Sequence, residues 1–409
     1  MAIKPISFAR DREHIFHRRQ LAEDLVHRLS DPVYKSGLFL SAPRRTGKTT
    51  FIRADLLPVL REAGAVVIYA DLWEQRSLSP ARVIISAIRD AILHESGVVL
   101  KTATAMGLKK VRIGGLEMDL DAIGTKEGDS LARTLEKLGA ASDKPIVMVV
   151  DEAQHAQATD DGRDTLFALK AARDAMILGE GKGFRFVATG SNSDRLRTLV
   201  SSKDQAFFGA KEEHLPELGD AYLQWVLDRS TFKTCLSLPV IRQGFDVFSR
   251  RPEYLQRLLK SMEDEPAFDA NTIDRVFVER AGASMEHARQ TFLASLRSME
   301  ALDAAVFRRM ARLGDKFTPF DEGALRDYAA LMSQDATRIK VERPTKSGVQ
   351  SALERLRRES LIWNAGRGLW HIEDPQHAVW TRSEQGATAN DGQTTPCARS
   401  ASSDTASTP

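Results

Sequence analysis

The sequence predicts an α/β protein: a parallel sheet covered on both faces, then a helical region, then a small unit of three helices and a hairpin. Three observations predict it. Apolar runs at Leu38–Leu40, Ala65–Ala70, Ile146–Val150 and Phe184–Ala188 alternate with helical periodicity, which is the pattern of βαβ units. The first run leads into Ser41-Ala-Pro-Arg-Arg-Thr-Gly-Lys-Thr49, and the third ends on Asp151-Glu152. After about Leu218 the strand signal fades, and it returns only as two short runs around Gly366-Arg-Gly368.

Taken in order, Leu21, Leu25, Val26 and Leu29 recur at helical spacing, and Asp31-Pro32 ends that helix. A buried strand and a tight loop follow, with a helix opening at Lys48 and running to about Glu62, where Gly64 breaks it. Val83, Ile84, Ala87, Ile88, Ala91 and Ile92 share one face of the helix from Pro80 to about Ser96. Lys109–Leu120 alternates around Gly114-Gly115 and predicts an inserted hairpin. Helices over about 129–138 and 161–178 bracket the most apolar strand, Lys144–Val150, and the strand Gly183–Thr189 ends in Gly190-Ser191-Asn192. Helices near 219–229, 236–248, 252–263 and 271–297 form the helical region. Those near 299–313, 321–333 and 345–359, with the hairpin, describe a winged helix. The expected bounds are 1–217, 218–297 and 298–382, with a polar, structureless tail over 383–409.

Composition narrows the class. Hydrophobic residues at 42% and charged residues at 28% are those of a globular protein, and the net charge of +2 means that any basic surface is local. Two distant cysteines, Cys235 and Cys397, exclude a disulfide framework and fit a reducing compartment. The N-terminus has no apolar signal core and no run approaches a membrane span, so a cytoplasmic protein without membrane partners is expected.

The chemistry lies in two places. Gly47-Lys48-Thr49 matches the second half of the phosphate-binding loop G-x-x-x-x-G-K-[ST], with Ala42 where the first glycine would stand. Such a loop needs inward-facing backbone N–H groups above a helix N-terminus. Lys48 would then meet the β- and γ-phosphates and Thr49 would hold Mg²⁺. Pro43, Arg44, Arg45, Thr46, Gly47, Lys48, Thr49 and Thr50 are the candidate nucleotide-binding set. Asp151-Glu152 ends an apolar strand, where open α/β sheets bind ligands. Alone it is equally a capped strand end; with the loop about a hundred residues earlier, it completes a Mg²⁺–ATP site. Asp151 would join Thr49 as metal ligand, and Glu152 would orient the attacking water. Thr189, Ser191 or Asn192 would face the γ-phosphate, and Asn192 is the candidate catalytic residue among them.

Pro43-Arg-Arg-Thr-Gly-Lys-Thr49 and Val149-Val-Asp-Glu-Ala-Gln154 resemble the ATPases described as predominantly archaeal, a branch of the AAA+/STAND group. Phe16-His-Arg-Arg-Gln-Leu21 resembles their N-terminal Phe-x-Gly-Arg box near the adenine, distorted here at His17-Arg18. Gly190-Ser191 matches their sensor 1, and Gly244–Leu255 resembles the segment preceding sensor 2. The resemblance implies an α/β P-loop NTPase (AAA+-like) parallel sheet with an α-helical lid and a C-terminal winged-helix domain. It implies ATP and Mg²⁺ as cofactors, slow hydrolysis and a switch-like role. Its sensor-2 arginine would be Arg250 or Arg251, and Arg251 is taken as the catalytic candidate. Arg195, Arg197 and Lys203 are the finger candidates.

The winged helix is where a partner would dock. Residues 338–359 hold seven bases (Arg338, Lys340, Arg343, Lys346, Arg355, Arg357, Arg358) against three acids (Glu342, Glu354, Glu359), a local charge of +4. With Val349, Leu353 and Leu356 inward, Lys346, Gln350 and Arg358 project as a major-groove helix requires. Arg355 joins this candidate DNA-binding set, and Arg367 at the hairpin tip would meet a phosphate. Duplex DNA is one expected partner. A protein partner, or a second copy of the chain, in a signalling or assembly ATPase is the alternative.

Overall fold

The computed structural model describes residues 15–74, 78–97, 109–124, 129–178, 182–191, 193–265, 268–269, 271–335, 343–366 and 368–391. The chain opens with α1 (Arg19–Leu29), β1 (Leu38–Ser41), α2 (Lys48–Phe51), a π-helical stretch over Ile52–Leu56 and α3 (Leu57–Glu62). It continues through β2 (Val66–Asp71), α4 (Pro80–Glu95), the hairpin β3 (Lys110–Ile113) and β4 (Leu116–Asp119), α5 (Leu131–Ser142) and β5 (Ile146–Asp151). A 3-10 turn over Ala153–Ala158 leads to α6 (Asp160–Leu178), β6 (Phe184–Gly190), α7 (Ser193–Ser201) and β7 (Lys211–His214). Then come α8 (Asp220–Arg229), α9 (Leu238–Val247), α10 (Pro252–Glu263) and α11 (Ile273–Ser298). The chain closes with α12 (Ala301–Leu313), α13 (Glu322–Asp335), α14 (Lys346–Arg358), β8 (Ile362–Gly366), β9 (Leu369–Ile372) and α15 (Pro375–Asp391).

The central sheet is all parallel in the order β2-β5-β6-β1-β7. Its two faces carry separate cores, as a sheet between helical layers requires. One face is built from Phe39, Met148, Val150, Phe184, Phe186 and Ala188 with α4, α5, α6 and the β3–β4 hairpin; the other from Leu38, Leu40, Val147, Val149 and Val187 with α1, α2 and α3. On the first face Phe186 and Phe207 stack with centroids 4.2 Å apart. The hairpin is pressed close: Gly114 has φ 53°, and a Cβ there would lie 2.3 Å from the carbonyl oxygen of Ala141. The helical segments from Leu218 onward have a third core around Tyr222, Phe245, Phe248, Leu255 and Phe277, against which Phe16 packs.

Among the described residues the chain divides into two compact units, one up to 286 with 365–366 and one over 287–364 with 368–391, and the division falls inside α11. In the second unit α12 is flanked by α13, α14 and α15, and β8–β9 forms the hairpin. The parallel α/β sheet, the helical region after Leu218 and a C-terminal unit of helices with a two-stranded hairpin are therefore the architecture observed. Two expectations change. β7, with sequence Lys-Glu-Glu-His, is a parallel edge strand that no apolar pattern announces. The chain is helical through Ser383 to Asp391, because α15 is anchored where a structureless tail was expected. His377 stacks on Phe292 with centroids 4.0 Å apart, Trp380 is buried, and Arg382 donates to the Ala311 carbonyl at 2.8 Å. Among the described residues no helix is long and apolar enough to cross a membrane.

Phe186 is fully buried between Phe39 and Phe207, so Phe186→Ala removes a ring that the sheet cannot refill. Denaturant titration followed by circular dichroism is expected to show a loss of about 3–5 kcal/mol. A loss under about 1 kcal/mol would mean that this core collapses around the cavity.

Candidate functional site

Register builds the site. β1 and β5 are separated by β6, which sets their carboxyl ends about 10 Å apart at about 4.8 Å per strand. Leu40 pairs with Thr189 and Val150 with Ala188, so Ser41, Thr189 and Asp151 end their strands at neighbouring levels. Beyond Ser41 the chain is still extended at Ala42, whose N–H donates to the Gly190 carbonyl at 3.1 Å. Ala42 is buried and outside the left-handed region, so its methyl group is accommodated where the motif prefers glycine. Positive φ falls instead on Arg45 (62°) and Gly47 (86°). Glycine at 47 relieves the Cβ conflict and starts the helix at Lys48. Thr46 Oγ1 donates to the Pro43 carbonyl at 2.7 Å and closes the loop.

Lys48 is buried and reaches across the sheet. Its Nζ donates to Asp151 Oδ1 at 2.7 Å and Glu152 Oε1 at 2.6 Å, with Thr189 Oγ1 at 3.5 Å. Thr49 Oγ1 donates to Asp151 Oδ2 at 2.8 Å, and Thr189 Oγ1 donates to Asp151 Oδ1. Glu152 leaves the strand with φ 55°. It also accepts from Gln154 Nε2 at 2.6 Å, Ser191 Oγ at 2.9 Å and the Ser191 N–H at 3.2 Å. Burial pushes the Glu152 carboxyl up, but the Lys48 charge, the hydrogen bonds from Lys48 and Gln154, and the charge of Arg44 outweigh it and hold the group at about 2. Glu152 is thus ionised at neutral pH.

The loop arginines point to two sides. Arg44 Nε donates to Ser191 Oγ at 3.3 Å, and its guanidinium lies 4.4 Å from the centre of the Trp73 ring, which in turn sits 4.8 Å from His155. Arg45 Nη1 donates to Tyr254 Oη at 3.4 Å and stands 3.8 Å from Glu253, both in the first turn of α10. Between them lies a cleft of about 260 Å³ lined by Pro43, Arg44, Arg45, Gly47, Lys48, Thr49, Thr50, Trp73 and Glu152. All the candidate loop residues except buried Thr46 line it. Trp73 carries no motif signal and is found only because strand ends converge, whereas Gln154 closes the Asp-Glu-Ala-Gln run.

The remaining candidates scatter. Asn192 and Arg367 lie outside the described residues. Arg251 is buried immediately before α10, whereas Arg250 is exposed with φ 54° and pairs with Asp246 and Glu217, each at 2.9 Å. Of the finger candidates, Arg197 pairs with Glu212 at 3.0 Å. On α14, Lys346 and Arg358 are exposed as expected. Gln350 Nε2 donates to Glu354 at 2.8 Å. Arg355 has internal partners: its guanidinium grips the buried Asp303 through two bonds of 2.8 and 2.7 Å and Glu300 at 2.8 Å, which ties α14 to α12.

No family model matches the chain, and no curated protein does. Among solved structures, the chain is similar to the Aeropyrum pernix ORC1 protein in complex with DNA, at 17% identity over 94% of this chain and 96% of that one, with a TM-score of 0.43. It is similar to the Aeropyrum pernix ORC2 protein in its ADP form, at 14% identity over 96% and 97%, with a TM-score of 0.48. Cdc6p from Pyrobaculum aerophilum is similar at 17% identity over 91% and 94%, with a TM-score of 0.40.

The low pKa of Glu152 is also a stability statement. A carboxyl depressed in the folded state stabilises above its unfolded pKa, and that contribution is lost as pH falls through the folded value. The difference in unfolding free energy between the protein and its Glu152→Gln variant is expected to be constant above about 4.5 and to shrink towards pH 2. Denaturant titrations across that range measure it, and a flat difference would remove the ion pair as the cause.

Proposed function

We propose that the chain is a Mg²⁺–ATP-binding ATPase of slow turnover that acts as a nucleotide-dependent switch and meets duplex DNA through its winged helix. The observation that carries it is the buried Lys48 ammonium between Asp151 and Glu152, with Thr49 on the far oxygen of Asp151. A lysine at the start of a helix, beneath a loop closed by Thr46 and next to two carboxylates, has the charges that a triphosphate and its metal require. Thr49 and Asp151 would hold Mg²⁺, which when bound neutralises phosphate charge. Lys48 would exchange its carboxylates for phosphate oxygens. Glu152, an anion at neutral pH, would then accept a hydrogen bond from a water and draw its proton as that water attacks. Ser191, on the Glu152 carboxylate, holds that group in place, and Arg44 holds Ser191. Arg251 remains a candidate for the sensor-2 role by its place before α10.

The DNA reading rests on exposed Lys346, Arg357 and Arg358 along α14. The internal commitments of Arg355 and Gln350 shorten the base-reading set, and they favour backbone contacts over sequence readout. They are also the observation that keeps a protein partner as the second reading.

Lys48→Ala is expected to abolish ATP binding in titration calorimetry. Glu152→Gln is expected to keep binding while turnover falls by about 100-fold or more; unaltered phosphate release in that variant would take Glu152 out of the mechanism. For the winged helix, a gel-shift titration of the full chain against duplex DNA at rising salt is expected to show a steep slope. Replacing Lys346, Arg357 and Arg358 by alanine should lower that slope by about one for each DNA phosphate left without its cation. No shift at low salt would decide for the protein partner.

A further inference from the structure

The segment Phe16-His17-Arg18 does something the nucleotide motifs do not require. Arg18 Nη2 donates to the carbonyl of Gly47, the residue that caps the phosphate-loop helix, at 3.2 Å. Its Nη1 donates to the carbonyl of Pro216 at 3.0 Å, on the segment leading into the helical region. The guanidinium lies 4.7 Å from the centre of the Phe51 ring, one turn into the same helix. The backbone is fixed separately: the Arg18 N–H donates to Asp55 Oδ2 at 2.9 Å, and His17 Nδ1 meets Asp55 Oδ1 at 2.7 Å. Asp55 itself is buried in the π-helical stretch, where a widened turn brings its carboxylate to this segment. On the other side Phe16 makes edge contacts with Tyr222 and Trp225, at 5.5 and 5.8 Å, in the helical core.

Resting on the nucleotide reading above, we propose that Arg18 is a positioning residue for the phosphate loop and that Asp55 is its anchor. The loop must hold Gly47 in a left-handed conformation while its N–H groups turn towards a polyanion. A cation bonded to the Gly47 carbonyl fixes that peptide from behind, and the same cation ties it to Pro216. The three residues thus form a joint: Phe16 belongs to the helical core, Arg18 to the loop, and Asp55 keeps them in register. Loss of Arg18 frees the loop to sample geometries that do not bind phosphate, which weakens affinity without touching the hydrolytic groups.

The test is ATP binding by the full chain in the presence of Mg²⁺, measured by titration well below the unfolding temperature, together with kcat at saturating ATP. Arg18→Ala is expected to raise Kd about tenfold, the effect of losing a charge-assisted hydrogen bond, with kcat within about twofold of the unaltered protein. Arg18→Lys keeps the charge and one carbonyl contact and should recover part of the affinity. Arg18→Gln serves under the same criterion if the alanine variant does not fold. Unchanged Kd in the variants, beside a protein that binds ATP, overturns the role of Arg18 alone. A protein that binds no ATP overturns the nucleotide reading and this inference with it.

Discussion

A buried ammonium ion cannot be left without counter-charge, and the site is arranged around meeting that demand for Lys48. Desolvating a lysine costs several kcal/mol unless oxygen ligands surround it. Here they come from the ends of two other strands: Asp151 and Glu152 from β5 and, at the limit of hydrogen-bond reach, Thr189 from β6. With β6 between β1 and β5, the lysine side chain spans the width of one strand to bridge these ends. The strand order and the ion cluster are therefore two views of one constraint. The same cluster sets the state of Glu152, whose ionisation depends on Lys48, Gln154 and Arg44 outweighing its burial.

The loop that carries Lys48 is held from three directions. Arg44 leans towards Ser191 and Trp73, Arg45 towards Tyr254 and Glu253, and Arg18 braces Gly47 from behind. Arg44 and Arg45 are consecutive, yet they diverge because Arg45 takes positive φ and turns the chain between them. One result is that the loop touches both the carboxylate-bearing end of the sheet and the first turn of α10. A change in loop geometry has physical routes to both.

Much of this was legible in the sequence, and the limits have physical causes. Gly47-Lys48-Thr49 and Asp151-Glu152 could be read because backbone geometry and charge restrict which residues serve there. The three inner strands β5, β6 and β1 could be read because burial on both faces demands continuous apolar runs, and β2 at one edge could be read by its own apolar run. β7 could not: it is an edge strand of charged residues, held by backbone pairing to β1 and by Arg28 and Tyr34 on Glu213. Charges on an edge also discourage pairing with other chains. α15 escaped notice because its polar composition resembles a tail while a few residues, Trp380 and Thr381 among them, carry its burial. The pairing of Arg355 was not legible, because helical spacing cannot see Asp303 on a neighbouring helix. The contacts of Arg18 and Asp55 were not legible for the same reason, since their partners are distant in sequence, although Arg18 lies in the N-terminal box that the sequence marked. Ala42 shows the reverse. Its departure from the motif weakened the sequence signal, and the backbone shows that glycine is not needed at that position.

The pairing of Lys48 also bears on how tightly a site of this kind holds its ligand. A triphosphate must take Lys48 from two carboxylates before it gains that lysine, so part of its attraction goes into replacing contacts already made. The carboxylates released would repel the phosphates unless a divalent ion lay between them, and Thr49 beside Asp151 is where such an ion would sit. Under the proposed function, binding by this geometry would be coupled to the metal through charge balance. A free nucleotide without metal would meet two uncompensated anions at the strand end. Under the proposed function, the same carboxylates that neutralise Lys48 here would hold metal and water beside a bound triphosphate, so that neither state would leave a buried charge alone.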